Sequence, residues 1–353
     1  MNYGLFILAF SLSMYISVFE ISNLSVVLII VSLPLSLLIS TNAKSNNYSC
    51  SLLVSNILFF SYIIFNNFLN GNNILDGVFW WSILLVCTLF LTPAHRNDAE
   101  LYLKTYLYSS LLVLYVDIIY RLKNPIVKDS VVDLGRYAYK YGLIDMDSNF
   151  SGIFSVFCFS TFLFMRMKRI KIKNIIGFLF FVSCVLSFSI SAIISALVIF
   201  LYFIYLKFNS KTKELVIYFS IFFIFLSLGL IIESISSDGS GSSKLLLFSE
   251  GLKIIFSRDL YEFLFGVGLN QGDVMGVDPH LIYIRLPIEL GLIGLLSFVL
   301  LIGSYSFVLK KDILFFLIPF LILGLSVVPI SSPVLCASLL GIYFMKRTEY
   351  EAS

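Results

Sequence analysis

The sequence predicts an all-α polytopic integral membrane protein with about twelve transmembrane helices and two long loops on one side of the bilayer. Three observations predict it. The chain is 59% hydrophobic and only 13% charged, with a mean hydropathy of +0.97; a soluble domain is about one quarter charged. Apolar runs of roughly the 20 residues that an α-helix needs to cross hydrocarbon recur from end to end, and the alternating ten-residue patterns of a β-barrel are absent. Lys and Arg fall in alternate short connections, as expected for loops retained on the cytoplasmic side. This composition excludes a water-soluble globule and a disordered chain.

The expected spans begin with Tyr3–Phe19, Leu24–Ser40, Ser51–Leu69 and Ile74–Thr92. Lacking a basic region and a cleavage site, the first run is expected to be a retained helix and not a signal peptide. Leu101–Tyr120, Asn149–Met165, Asn174–Ser189 and Ser191–Lys207 follow, the last two divided at Ser189–Ser191. Leu215–Ile232, Leu286–Leu309, Ile313–Pro329 and Ser332–Met345 complete the set. Tyr3, Tyr48, Tyr102, Tyr120 and Tyr283 sit near span ends, where an amphipathic ring suits the interface. The five cysteines lie in or beside apolar spans without paired spacing and read as small hydrophobic residues.

With the N-terminus cytoplasmic, Lys44, Arg96, Arg166–Lys173, Lys207–Lys213, Lys310, Lys311, Lys346 and Arg347 all lie inside, and the short outside loops carry no basic residue. Both termini are then inside. The two long loops, 121–148 and 233–285, are outside, and the whole chain, 1–353, is one transmembrane domain. Outside arginine is disfavoured during insertion, so Arg136 and Arg258, with Arg285 at the second loop's end, point to use. The alternative for the loop lysines is that they keep the loops soluble. No basic block grips nucleic acid.

The second loop carries most of the candidate chemistry. Asp278 is a favoured N-cap and Pro279 a favoured first helical residue, so a helix is expected to start there with His280 in its first turn. The positive end of a helix keeps an imidazole neutral and able to accept a proton from a hydroxyl. His280 read otherwise is a cap or interface residue. Arg285 and Glu289, spaced i, i+4, are expected to pair, and Pro287 to break or kink the helix beside them. Gly291 and Gly294 read as close-packing positions. The Gly266–Gly268 turn, with Gly272 and Gly276, reads as flexible and lacks the βαβ setting of a dinucleotide loop. In the first loop Arg136 precedes Asp145, Asp147 and Asn149 at the start of the sixth span. Asp147 and Asn149 are either helix caps or holders of a sugar hydroxyl. Lys104 and Asp117 are unusual within spans, and Asp117 with Arg121, again i, i+4, is explained by local pairing.

At these residues the chain resembles the O-antigen polymerase (Wzy-type) and O-antigen ligase superfamily. The resemblance rests on the twelve-span layout and two segments. One is Arg136–Gly152, with DSNFSG where the family shows Asp-Pro-Asn, Ser148 standing for the Pro. The other is the SR…FGVGLNQ…H-L-x9-GLIG run from Ser257 to Gly294. Leu281 follows His280 where ligases show Asn, Ser or Gln, which favours a polymerase, and Lys244 stands where an Arg is usual.

The resemblance implies a fold like the C-type glycosyltransferases and a metal-independent transferase with no cofactor, working on lipopolysaccharide at the periplasmic face of the bacterial inner membrane. Its donor would be a glycan on undecaprenyl diphosphate and its acceptor the next lipid-linked repeat unit, or lipid A-core in a ligase. A chain-length regulator is the implied protein partner. Arginine forks bind diphosphate oxygens bidentately. Arg136, Arg258 and Arg285 are therefore expected to hold the diphosphate, His280 to activate the acceptor, and Asp147, Asn149 and Glu289 to contact sugar. The rival from another class is a transporter or lipid-linked sugar flippase. Charge gathered in unequal outer loops, and not in a midplane site between repeated halves, argues against it.

Overall fold

The computed structural model describes residues 3–14, 48–72, 78–91, 93, 95–125, 139, 141–144, 148–207, 214, 239–269, 271–274, 276, 281–325 and 332–351. Every regular element among them is helical: α1 (Tyr3–Ser13), α2 (Tyr48–Leu69), α3 (Val78–Phe90), α4 (Arg96–Lys123), α5 (Ser148–Met167), α6 (Asn174–Leu186), α7 (Ile190–Lys207), α8 (Gly239–Ser257), α9 (Leu260–Phe265), α10 (Ile282–Leu309), α11 (Leu314–Leu323) and α12 (Pro333–Glu351). A 3-10 turn, Lys310–Ile313, joins α10 to α11. The expected spans Leu24–Ser40 and Leu215–Ile232 lie outside the described residues.

Four described stretches are long and apolar enough to cross a membrane: Cys50–Leu69, Ser148–Met167, Ile190–Lys207 and Ile282–Leu323. Among the described residues the chain is thus all-helical, with helices of the length and apolarity of a helical membrane protein. The apolar window of α5 is 83% buried, whereas that of α7 is 28% buried, so α5 is the central post and α7 faces outward. Phe154, Phe157 and Phe164 of α5 pack with Tyr102 and Tyr106 of α4, Phe315 of α11 and Phe344 of α12 in one continuous core. Lipid offers no partner to a polar atom, so polar groups between helices satisfy one another. Tyr102 Oη donates to Ala337 O (3.1 Å), Tyr106 Oη meets Ser338 Oγ (3.2 Å), and Thr88 Oγ1 meets Tyr305 Oη (2.8 Å). Cys87, Cys158, Cys184 and Cys336 are buried as free thiols and Cys50 is exposed, in keeping with their reading as small apolar residues.

Several boundaries differ from the sequence expectation. The division between the seventh and eighth spans is as expected: α6 ends at Leu186, Phe188 takes φ 56° and α7 starts at Ile190. The span expected over Ile313–Pro329 is instead the short helix α11, ending at Leu323. The second long loop is not irregular, because α8 and α9 occupy much of it. Leu247, Leu252, Ile254 and Ile255 of α8 pack on Ile284 and Ile288 of α10, and that burial is what keeps it helical.

One end of the bundle is tied by charge. Lys168 Nζ, just beyond α5, bonds Asp312 Oδ2 at 2.7 Å and Glu349 Oε1 at 2.8 Å, while Lys346 Nζ lies 3.3 Å from Glu349 Oε2. Arg96 Nη2, at the start of α4, donates to Lys168 O at 2.8 Å. The four segments bearing these groups are segments that the charge pattern puts on one side. The C-terminal ends of α2, α4 and α6 and the N-terminal ends of α5 and α10 therefore gather at the opposite end.

Candidate functional site at an interrupted helix

The site is built on a break in α10. Gly291 has φ 60° and ψ −172°, a conformation open in practice to glycine alone, so the helical ladder stops there and resumes beyond it. The break lies at Gly291 and not at the expected Pro287, which the short helical run before it accommodates without leaving helical geometry. An interrupted helix leaves its last carbonyls without helical N–H partners, and inside a protein each needs another donor. Here each finds one. Ile288 O accepts from Val267 N (3.1 Å) and Arg258 Nη1 (2.8 Å). Glu289 O accepts from Gly268 N (3.0 Å) and Asn66 Nδ2 (3.1 Å). The single hydroxyl proton of Tyr62 is shared between Leu290 O and Phe265 O.

The Gly266–Gly268 turn is therefore a clamp, and the flexible turn expected from its glycines is corrected. Gly266 has φ 71°, and a Cβ there would meet Gly291 N at 2.5 Å and the Glu289 carbonyl carbon at 2.6 Å. Only two glycines let these backbones approach so closely. The end of α2 holds the other side of the turn: Asn72 Nδ2 donates to Val267 O (2.9 Å), and Asn67 Oδ1 accepts from Leu269 N (3.3 Å). Asn66 and Asn67 are 1% and 0% exposed. Sequence reasoning missed them, although a signal was available. A run of asparagines closing an apolar span is costly in lipid unless the amides serve backbone.

Two candidate arginines are engaged on the helical run ahead of the break, Arg258 at Ile288 O and Arg285 at Glu289. Arg258 links α8 to α9, whose N-cap Asp259 accepts from Glu262 N at 2.8 Å. One Arg258 nitrogen bonds Ile288 O; its Nε is buried without a hydrogen-bond partner and lies 3.5 Å from Glu262 Oε2. Burial pulls the Arg258 pKa below its ordinary value, against the pull of Glu262 and Asp259 in the other direction. Arg285 Nε bonds Glu289 Oε1 at 2.7 Å, as the i, i+4 spacing predicts, and Glu289 is 1% exposed. Gly272 roofs this pair: a Cβ there would lie 2.8 Å from Glu289 Cγ and 3.3 Å from Arg285 Cγ. Gly294 packs directly against the Tyr62 ring, the close-packing role expected of it.

The remaining candidates fall elsewhere. Arg136, Asp147 and His280 lie outside the described residues, as do Asp145, Asp278 and Pro279. The helix expected from Pro279 is corrected at Leu281, which is extended (φ −124°, ψ 106°) ahead of the first helical residue, Ile282. Its cause is a tertiary bond: Ile282 N donates to Gly324 O at the end of α11 (3.0 Å). Asn149 lies half-buried in the first turn of α5, beside a different cluster centred on Asp117.

That second cluster is more than the local ion pair expected of it. Arg121 Nε bonds Asp117 Oδ2 at 3.0 Å, with the two side chains 2% and 0% exposed. Asp117 also accepts from Leu143 N (2.6 Å), Ile144 N (3.2 Å) and Ser151 Oγ (2.8 Å). Arg121 Nη1 donates to Leu186 O (3.0 Å), while its Nη2 is buried without a partner. The pair thus pins the returning limb of the first long loop to α4, α5 and α6. Lys104, the other charge noted within a span, bonds Glu100 at 3.3 Å in a half-exposed setting.

Among the described residues, no three of His, Cys, Asp and Glu gather as metal ligands would. No protein-family model matches the chain, and no curated protein matches it.

Proposed function

We propose that the protein is a polysaccharide polymerase of the O-antigen type. It transfers a growing glycan from undecaprenyl diphosphate to the next lipid-linked repeat unit at the outer face of the bacterial inner membrane. The observation that supports this reading is that Arg258 and Arg285 are both engaged on the short helical run before the Gly291 break, Arg258 at Ile288 O and Arg285 at Glu289, with the Arg258 Nε a buried donor lacking a hydrogen-bond partner. A guanidinium bonded once to Ile288 O keeps further donors in a fixed fork, the geometry that a diphosphate accepts. The site lies at the bundle end away from the Lys168–Lys346 cluster, where the charge pattern puts the outside.

In this reading the bond between the donor sugar's anomeric carbon and the diphosphate oxygen breaks as the acceptor hydroxyl oxygen bonds that carbon. The hydroxyl proton passes to His280. The diphosphate departs with the bonding electrons, its charge met by Arg258 and Arg285, with Arg136 as a third contact. Stabilisation of charge that develops on a leaving group is the largest single contribution such a site makes. No metal takes part in the proposed step. The twelve-span layout and the C-type glycosyltransferase fold belong to the same proposal.

The test replaces Arg258, Arg285 and His280 singly in a strain lacking the native gene and examines surface-glycan ladders at matched protein levels. Loss of long ladders with single repeat units still attached is expected. Full-length ladders from all three variants reject the assignment.

A second reading is favoured by the break itself, since interrupted helices are a mark of transporters. Against it, the run from Gly291 to Leu309 is about 27 Å long at 1.5 Å per residue, close to a full hydrocarbon thickness. The break then sits at one membrane face and not at the midplane. Purified protein that moves lipid-linked units across vesicles without extending them supports the transporter.

A further inference from the structure

The elbow joining α8 to α9 presents apolar side chains outward. Phe256 is 78% and Leu260 73% exposed, more than any other large apolar side chain among the described residues, and Tyr261 is 44% exposed. A soluble loop would not leave such a group in water. On α9, Leu260, Tyr261, Leu264 and Phe265 fall within about 140° of one another at 100° per residue, while Glu262 falls outside that arc. The elbow therefore has an apolar side and a polar side.

What covers the apolar side is indicated by its neighbours. α2 carries an outward stripe of Val54, Leu58, Phe65 and Phe68, at the spacing of one helix face, within a stretch able to cross a membrane. The Phe65 ring lies 6.2 Å from Phe265, and Phe265 lies 5.3 Å from Tyr261. The lipid-facing stripe of α2 thus runs without interruption onto α9. Phe65 is about one turn from the end of α2, so the junction falls at the membrane boundary and not above it.

We propose that the α8–α9 elbow is an interfacial element seated in the lipid boundary, with Phe256, Leu260 and Tyr261 among the upper acyl chains. Such elements bury an apolar face a short way into the bilayer and keep the charged face at headgroup level. Asp259, Glu262 and the exposed Lys253 supply the polar side, and Arg258, between the two helices, is held at the depth of lipid headgroups. The inference is independent of the polymerase reading and holds for a transporter equally.

The test places Phe256→Trp and Leu260→Trp, singly, in the full-length protein in nanodiscs holding one copy each, with Trp80 and Trp81 of the parent as baseline. Both positions are exposed, so the fold tolerates the change. With lipids brominated near the headgroup end of the chain, the added emission is expected to be blue-shifted, lost to bromine and insensitive to aqueous iodide. Added emission that iodide quenches and bromine does not overturns the proposal. Shielding from iodide that appears only when two copies share a disc also overturns it, because a second copy of the chain then covers the elbow.

Discussion

Replacing Gly291 by Ala tests whether the interrupted helix organises the outer end of the bundle. A side chain at φ 60° and ψ −172° is strained by about 1–3 kcal/mol. The added Cβ would also lie 2.6 Å from both the carbonyl carbon and the oxygen of Leu264, which are backbone atoms and cannot rotate away. Relief requires the Gly266–Gly268 turn to withdraw, which breaks Val267 N to Ile288 O and Gly268 N to Glu289 O. Each lost bond costs about 1 kcal/mol net, and more where the carbonyl stays buried and unpaired. The summed effect is about 3–5 kcal/mol, concentrated on one turn. Hydrogen–deuterium exchange of the purified protein should show amides 267–269 losing protection by two orders of magnitude or more, since about 1.4 kcal/mol is tenfold. Gly303→Ala is the control, because that helical glycine has nothing within 4 Å of an added Cβ. It should be neutral or stabilising by up to about 1 kcal/mol. Gly266→Ala should act on the same contact, so the double variant should cost less than the sum of the singles. Unchanged protection at 267–269 in Gly291→Ala refutes the reasoning.

Two further outcomes are expected. Asp117→Leu leaves Arg121 buried and uncompensated and should cost about 3–5 kcal/mol, with limited proteolysis opening the chain near 139–144; Asp117→Leu with Arg121→Met should recover part of that loss, and equal damage in both argues against the pair as the anchor. At the other end, burial raises the Glu349 pKa but the bonds to Lys168 and Lys346 outweigh it, so the folded value lies below the ordinary one. A carboxyl depressed on folding stabilises above its unfolded pKa, about 4.3, and that contribution is lost as pH falls through the folded value. Thermal unfolding from pH 7 to below 4 should therefore be less pH-dependent in Lys168→Met than in the parent, and parallel curves would count against the cluster.

Much of the molecule was legible in the sequence because lipid imposes simple rules. Apolar run length located α2, α5 and α7, and lysine placement grouped the segments that Lys168, Asp312, Lys346 and Glu349 join. The i, i+4 pairs Arg285–Glu289 and Asp117–Arg121 were readable because helical spacing alone makes them neighbours. The helix break was misplaced for a related reason. Pro287 is the residue that local rules blame, yet it keeps helical φ/ψ, whereas the ladder breaks at Gly291, where the Gly266–Gly268 turn supplies substitute donors.

The sequence by itself determined that the protein is helical, apolar and built to cross a membrane, since those properties follow from each residue's own transfer from water and from spacing along one helix. Only the tertiary structure decided where the ladder of α10 stops, which asparagines of α2 serve it, and that Arg258 reaches Ile288 O beside it. Those contacts join segments 30 residues apart, as with Arg258 and Ile288, and 223 apart, as with Asn66 and Glu289. Their energy lies in backbone groups that look alike in every sequence, and only packing reveals which carbonyl is left to be claimed.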